Sequence, residues 1–277
     1  IDPSDLDTMY LEGMFGGMGR KDLKTGKNHG IRPGPAPEGK KLRFNWMTPF
    51  ILSHYDSKTL YAGANMLFKS ENRGDQWTCI SPDLSTNPGP ERQGDVPFGT
   101  ITDISESALK KGLLYAGTDD GQLHVTRDDG ATWTKINKGL PNRWVSRVVA
   151  SKYDEGTVFV SLTGYREDDF EAYLYMSTDF GETWKSIVNN MPSESINVIR
   201  EDPTDKDILY VGTELGAYCS IDKGKTWHSL CKTLPTCAVH DLALHAGTGD
   251  LVAGTHGRSV FVLHAKEIQK MKQEMAK

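Results

Sequence analysis

The chain has 277 residues, of which 37% are hydrophobic, 25% charged and 9% aromatic, with a formal net charge of −5. That composition is of a folded globular chain rather than a disordered one, and its scattered Lys and Arg residues argue against the basic stripe of a nucleic-acid surface. No apolar run approaches the roughly 18–20 residues that cross a bilayer, so no membrane insertion is expected, and Ile1-Asp2-Pro3-Ser4-Asp5 lacks the basic and apolar regions of a signal peptide.

Taken in chain order, the sequence repeats one pattern: strand, turn, strand, loop, strand, polar turn, strand. The first unit spans about 1–33 and opens at the end of its first strand, with Thr8-Met9-Tyr10-Leu11-Glu12-Gly13 as its apolar run. A Pro/Gly-rich linker, Pro33 to Gly39, leads to the second unit at about 42–84. There the run reads Thr59-Leu60-Tyr61-Ala62-Gly63 and the polar turn Ser70-Glu71-Asn72-Arg73-Gly74-Asp75-Gln76-Trp77. After a second Pro/Gly loop the third unit, 99–140, carries Leu113-Leu114-Tyr115-Ala116-Gly117 and Thr126-Arg127-Asp128-Asp129-Gly130-Ala131-Thr132-Trp133. The fourth, 144–191, carries Thr157-Val158-Phe159-Val160 and Ser177-Thr178-Asp179-Phe180-Gly181-Glu182-Thr183-Trp184. The fifth, 195–235, carries Ile208-Leu209-Tyr210-Val211-Gly212 and Ser220-Ile221-Asp222-Lys223-Gly224-Lys225-Thr226-Trp227. The sixth, 239–264, stops after its third strand, and residues 265–277 form a charged tail with helical character.

Short β-branched and aromatic runs between Gly, Asp and Pro clusters are strand and hairpin signals. Four antiparallel strands recurring about every 42 to 56 residues are the signature of a β-propeller blade. The expected fold is therefore an all-β β-propeller with about six visible units. Because the incomplete first and sixth units do not complement one another, the chain is expected to be a fragment or one part of a larger, for example seven-bladed, propeller with further blades or domains.

The polar turn places four of the six tryptophans at one position. Asp128, Asp179 and Asp222 can accept backbone N–H bonds while Gly130, Gly181 and Gly224 permit a positive φ, and the flanking Ser and Thr add hydroxyl bonds. Trp133, Trp184, Trp227 and, in the worn second-unit copy, Trp77 then supply apolar wedges. A turn repeated around the fold is structural, since a catalytic site is needed once. Cys79, Cys219, Cys231 and Cys237 fit no metal-ligand spacing, and neither does any His pair. Cys231 and Cys237 are either a bridge across a short loop or idle thiols. No metal or cofactor is expected.

The pattern Ser/Thr-x-Asp-x-Gly-x-Thr-Trp resembles the Asp-box, or BNR repeat, found in sialidases, xyloglucanase-type glycoside hydrolases, sortilin-type receptors and photosystem II assembly factors. Leu42-Arg43-Phe44-Asn45-Trp46-Met47-Thr48-Pro49 and Gly254-Thr255-His256-Gly257-Arg258 resemble the long sortilin-like bacterial members often labelled glycosyl hydrolases. The resemblance implies a β-propeller; it leaves function open, because one fold hosts many. The expected place of a binding propeller of this kind is outside the cytoplasm: secreted, periplasmic or at the cell surface.

In such a blade the loop after the second strand and the loop joining successive blades open on one face, and the box turn opens on the other. The loop face would present Trp46, Trp144, Tyr165, Arg166, His256 and Arg258 as binding residues. Glycoside hydrolysis needs two carboxylates about 5–9 Å apart, for which Asp119 or Asp120 with Asp168, Asp169 or Glu214 are candidates; the competing reading makes these solvated loop tips. The Arg-Ile-Pro motif of sialidases is missing. Three readings follow: a non-catalytic module binding a protein, peptide or glycan through the loop face, a glycoside hydrolase, and an assembly factor for a membrane complex.

Overall fold

The structure is a computed structural model that describes residues 1–230 and 234–275, so Cys231 and any bridge to Cys237 lie outside the described residues. Six antiparallel sheets, mainly four-stranded, give the all-β propeller architecture expected from the repeat. The chain divides into two compact units, residues 1–150 and 151–277.

In the first unit, β1 (Thr8–Glu12), β2 (Met18–Asp22) and β3 (Asn28–Gly30) form a three-stranded sheet. It is followed by β4 (Phe50–Leu52), β5 (Leu60–Gly63), β6 (Leu67–Ser70) and β7 (Thr78–Cys79), then by β8 (Ile101–Glu106), β9 (Leu114–Thr118), β10 (Leu123–Thr126) and β11 (Thr134–Lys135), each set a four-stranded sheet in chain order. β12 (Trp144–Ala150) closes the unit. The second unit holds β13 (Val158–Gly164), β14 (Asp169–Ser177) and β15 (Lys185–Ser186), then β16 (Ile196–Glu201), β17 (Leu209–Thr213), β18 (Ala217–Ser220) and β19 (His228–Ser229). It ends with the three-stranded β20 (Val239–His245), β21 (Asp250–Thr255) and β22 (Val260–His264). The charged tail is a helix, α1 (Ala265–Met275), and Ala265 and Ile268 bury against the sheet core around Leu242 and Leu251.

The Tyr-x-Gly runs are second strands, and they are where neighbouring sheets meet. Tyr61 and Leu67 of one sheet pack on Ile101, Ile104, Leu114 and Ala116 of the next. Likewise Tyr210, Ala217 and Cys219 pack on Val239, Leu242, Leu251 and Ala253. Gly212 is required there because a Cβ would stand 2.7 Å from both Val198 Cγ1 and Val239 Cγ1. In each pair, side chains from adjacent sheets thus fill an apolar seam, and apolar burial is the dominant favourable term in folding.

The polar box turns have one geometry in three copies. The Asp179 carboxylate accepts the Ser177 hydroxyl at 2.6 Å, the Thr183 amide at 2.9 Å and the Thr183 hydroxyl at 2.6 Å, while the Gly181 amide donates to Ser177 Oγ at 2.8 Å. Asp128 and Asp222 make the same bonds with Thr126 and Thr132 and with Ser220 and Thr226. In the worn copy Asn72 Oδ1 substitutes, accepting the Ser70 hydroxyl and the Gln76 amide. The residue before each glycine is also left-handed: Arg73, Asp129, Phe180 and Lys223 have φ between 58° and 62°.

Three of the four boxes also fasten their sheet to the preceding one. The indole N–H groups of Trp77, Trp133 and Trp227 donate to the carbonyls of Ile31, Ile80 and Ile187 at 3.0, 2.8 and 2.8 Å. Each acceptor directly follows the last strand of the sheet before. Trp184 is half-buried beside its own box. A second fastener recurs on the first-strand turns. Ser53 Oγ and the His54 amide donate to Glu106 at 2.9 and 2.6 Å, and Ser151 Oγ and the Lys152 amide donate to Glu201, both at 2.8 Å.

Candidate functional site

On the loop side of the first unit, an aromatic and methionine surface is built from two laced loops. The Gly16 amide donates to Thr48 Oγ1 at 2.8 Å, the Thr48 amide to Glu12 Oε1 at 2.8 Å, and the Phe15 amide to the Trp46 carbonyl at 3.3 Å. Arg32 donates to the Phe15 carbonyl at 2.6 Å and lies over the Phe44 ring at 4.5 Å. These bonds hold Phe15 edge-on to Trp46, with ring centroids 5.4 Å apart. Trp46 is 52% exposed, and Met47 next to it and Met14 next to Phe15 in sequence are exposed as well.

Behind that surface the acidic candidates are consumed by structure. Asp119 is 3% exposed and its carboxylate accepts the Gly99 and Thr100 amides at 2.9 and 2.8 Å, the Thr100 hydroxyl at 2.7 Å and Asn45 Nδ2 at 3.1 Å. Burial pushes its carboxyl up to about 6 against the pull of those donors. Asp120, 8% exposed, accepts the Thr86 amide and hydroxyl, both at 2.7 Å, and the Thr118 hydroxyl at 2.5 Å. The expectation of solvated tips therefore does not hold for this pair: the turn folds inward because the neighbouring loop needs acceptors. Arg43 is engaged in the same way, by Asp83, Ser85, Asn87 and the Gly99 carbonyl. Trp144, at the head of β12, is half-buried.

On the loop side of the second unit, hairpin loops after second strands and the head of β20 bring a different set together. The β13–β14 hairpin carries Tyr165 in its loop and Phe170 at the start of β14, T-shaped at 5.8 Å and 51% and 50% exposed. Between them Asp168 is left-handed and exposed, and Asp169 accepts the Tyr173 hydroxyl at 2.8 Å. From the β17–β18 loop, Glu214 accepts Asn197 Nδ2 at 2.9 Å and lies 3.9 Å from His240 Nε2. His256, from the β21–β22 loop, stands edge-on to His240 with ring centroids 5.1 Å apart. Burial lowers the His240 pKa, Glu214 opposes that shift, and His256 and Arg166 add to it. Arg258 is exposed at the tip of the His256 hairpin.

Asn197 and His240 are what the sequence pattern missed. Each occupies a register shift in its first strand, between Ile196 and Val198 and between Val239 and Asp241. A bulge re-aims the side chain it carries, and both here turn to Glu214. The strand alternation hides this, although the matching shift between Ile101 and Asp103 marks the position as recurrent.

On the box side of the first unit a polar cleft of about 380 Å³ is lined by Lys69, Glu71, Asn72, Gln76 and Asp129. Its lysine is held by Asp129 at 2.6 Å and Glu71 at 3.1 Å. Among the described residues no group of three or more His, Cys, Asp or Glu side chains is arranged to hold a metal ion, and no helix is long and apolar enough to cross a membrane.

A family model described as the DUF6242 beta propeller domain matches residues 43–230. No curated protein matches the chain. Among solved structures, the GH74 xyloglucanase from Xanthomonas campestris is 18% identical, with a TM-score of 0.67 over 95% of this chain and 44% of its own. The GH74 enzyme from Niastella koreensis gives 17% identity and a TM-score of 0.64 over 95% and 44%. The extracellular domain of BT4673 from B. thetaiotaomicron gives 17% and 0.59 over 94% and 30%. The chain thus spans less than half the length of each of these structures, and the likeness is one of fold.

Proposed function

We propose that this chain, which belongs to the DUF6242 β-propeller family, is a non-catalytic module that binds a protein, peptide or glycan through its loop face. One observation carries the reading: the loops that would hold a hydrolytic acid pair bury Asp119 and Asp120 under protein donors, while in the first unit Trp46, and in the second unit the β13–β14 hairpin residues Tyr165 and Phe170, are exposed. A general acid must reach the proton's destination within hydrogen-bond distance, and neither buried carboxylate is open to a ligand. Exposed aromatics on fixed loops are the features that bind, since they supply large contact area with little rotamer entropy to lose. The repeated Ser/Thr-x-Asp-x-Gly-x-Thr-Trp turns support reading the chain as an Asp-box propeller, and an extracytoplasmic location is part of the proposal.

The test screens the whole chain against a glycan array and a peptide library, in parallel with hydrolysis assays on xyloglucan and sialosides. Binding that falls at least tenfold in Trp46→Ala or Tyr165→Ala, without turnover, is the expected result. Turnover abolished by Asp119→Asn or by the exposed Asp168→Asn, in proteins that keep their melting temperature, would replace this reading with the glycoside hydrolase.

A further inference from the structure

The worn box of the second sheet departs from the three complete boxes at two positions, and both line one cleft. In the complete boxes the second carboxylate oxygen of the aspartate takes a threonine hydroxyl, at 2.6 Å for Asp128 and Asp179 and 2.7 Å for Asp222. The second sheet has Asn72 and Gln76 in those places. Asn72 Oδ1 still accepts the Ser70 hydroxyl and the Gln76 backbone amide. Among the described residues, however, Asn72 Nδ2 and the Gln76 side-chain amide bond to no protein group. Both amides line the cleft of about 380 Å³ between the second and third sheets, with Glu71, Thr78 and Ile80 from the same sheet and Asp129 from the next.

Lys69, with a side chain only 12% exposed, lies 2.6 Å from Asp129 and 3.1 Å from Glu71. Val125, Met176 and Cys219 hold its place before the other boxes, and Arg73, Phe180 and Lys223 hold that of Asp129. The lysine thus fixes a carboxylate on each wall of the cleft. It leaves Glu71 Oε2 without a protein partner among the described residues, and Asp129 Oδ1 with only the Tyr61 hydroxyl at 3.5 Å. These groups select a ligand by hydrogen-bond type. Asn72 Nδ2 only donates, the spare carboxylate oxygens only accept, and the Gln76 amide and Thr78 hydroxyl do both. A ligand anion meets two carboxylates, and a ligand cation finds Lys69 already in the place between them. A hydroxyl both donates and accepts, so a ring carrying several hydroxyls pairs with donors and acceptors together and can rest its C–H face on Ile80. The cleft volume falls in the range of small-ligand sites, on the order of 300–1,000 Å³.

We propose that this cleft is a binding site for one neutral hexose residue, whose hydroxyls donate to Glu71 and Asp129 and accept from Asn72 and Gln76. The site lies on the box side and does not depend on the loop-face reading. The test is a ligand-observed NMR titration of the full chain with glucose, galactose and mannose, beside glucuronate as the anionic control and agmatine as the cationic one. At least one of the three sugars should bind at least tenfold tighter than either control. Asn72→Asp combined with Gln76→Thr rebuilds the box of the other sheets. This double variant should match or exceed the wild-type melting temperature and yet bind the sugar at least tenfold more weakly. Glu71→Ala, at a side chain 74% exposed, should keep the melting temperature and cost about tenfold, as for one charge-assisted hydrogen bond. Trp46→Ala should leave the affinity unchanged. Binding of none of the three sugars, preference for either control, or binding that survives both the double variant and Glu71→Ala would overturn the cleft site and leave the loop-face reading standing. Binding lost in Trp46→Ala but kept in the double variant would overturn the cleft site and move the sugar to the loop face.

Discussion

Asp179 shows how much one carboxylate does in a half-buried turn. Hydrogen bonds from Ser177 and Thr183 hold its pKa down to about 2, and Asp128 is lowered by the same partners in its own box. A carboxylate whose folded pKa lies below its ordinary value stabilises the fold most when it is ionised. Its contribution is present in full above about pH 4 and is lost as pH falls through about 2. Asp179→Ala should therefore lower the melting temperature near neutral pH, by about 2–4 °C for each kcal/mol lost in a domain of this size. The gap to wild type should close as thermal melts are repeated from about pH 4 down to pH 2. A gap that stays constant across that range would mean that the side chain acts through packing and not through its charge. Asp119 runs in the opposite direction: burial holds its pKa above the ordinary value, so its share of stability declines as pH rises through about 6.

At the scale of elements, the box is a clasp between sheets as much as a turn. Trp227 is 4% exposed and its indole N–H reaches the Ile187 carbonyl at 2.8 Å, so one side chain supplies both an apolar wedge and a directed bond. Trp227→Phe removes the bond and keeps most of the wedge, and should cost about 0.5–1.5 kcal/mol. Trp227→Ala removes both, and should cost about 3–5 kcal/mol. Denaturant unfolding separates them, and equal losses would show that the hydrogen bond has no part in the clasp. Repeated residues at repeated spacings made the boxes, the Tyr-x-Gly strands and the order of sheets legible in the sequence. The acceptor carbonyls were not legible, because a backbone oxygen leaves no residue signature. Nor was the position of Asn197 and His240, which depends on a local slip of register. The Glu106 and Glu201 fasteners had a readable trace, Ser53-x-Tyr55-Asp56 and Ser151-x-Tyr153-Asp154, but its meaning needs the partner sheet to be placed. The inward fold of Asp119 and Asp120 likewise depends on the loop from Thr86 to Thr100, which looks in sequence like a featureless Pro/Gly linker.

At the scale of the whole molecule, a chain of similar sheets, each fastened to its neighbour, has stability that is approximately a sum of sheet terms and nearest-neighbour terms. Within the first unit two fasteners can be compared: the indole of Trp77 on the Ile31 carbonyl, and Glu106 on Ser53 and the His54 amide. They share no partner and join different pairs of sheets. Ser53→Ala and Glu106→Gln disturb one fastener and should couple, with an interaction term of about 0.5–3 kcal/mol. Trp77→Phe and Glu106→Gln should add to within about 0.3–0.5 kcal/mol. Both cycles are measured by urea unfolding of the single and double variants. Strong coupling in the second cycle would mean that strain travels across sheets, and the loops at one seam would then respond to changes at another. Additivity instead makes each seam a local platform, which lets loop tips such as those bearing Trp46 or Tyr165 change without loosening the sheets that carry them.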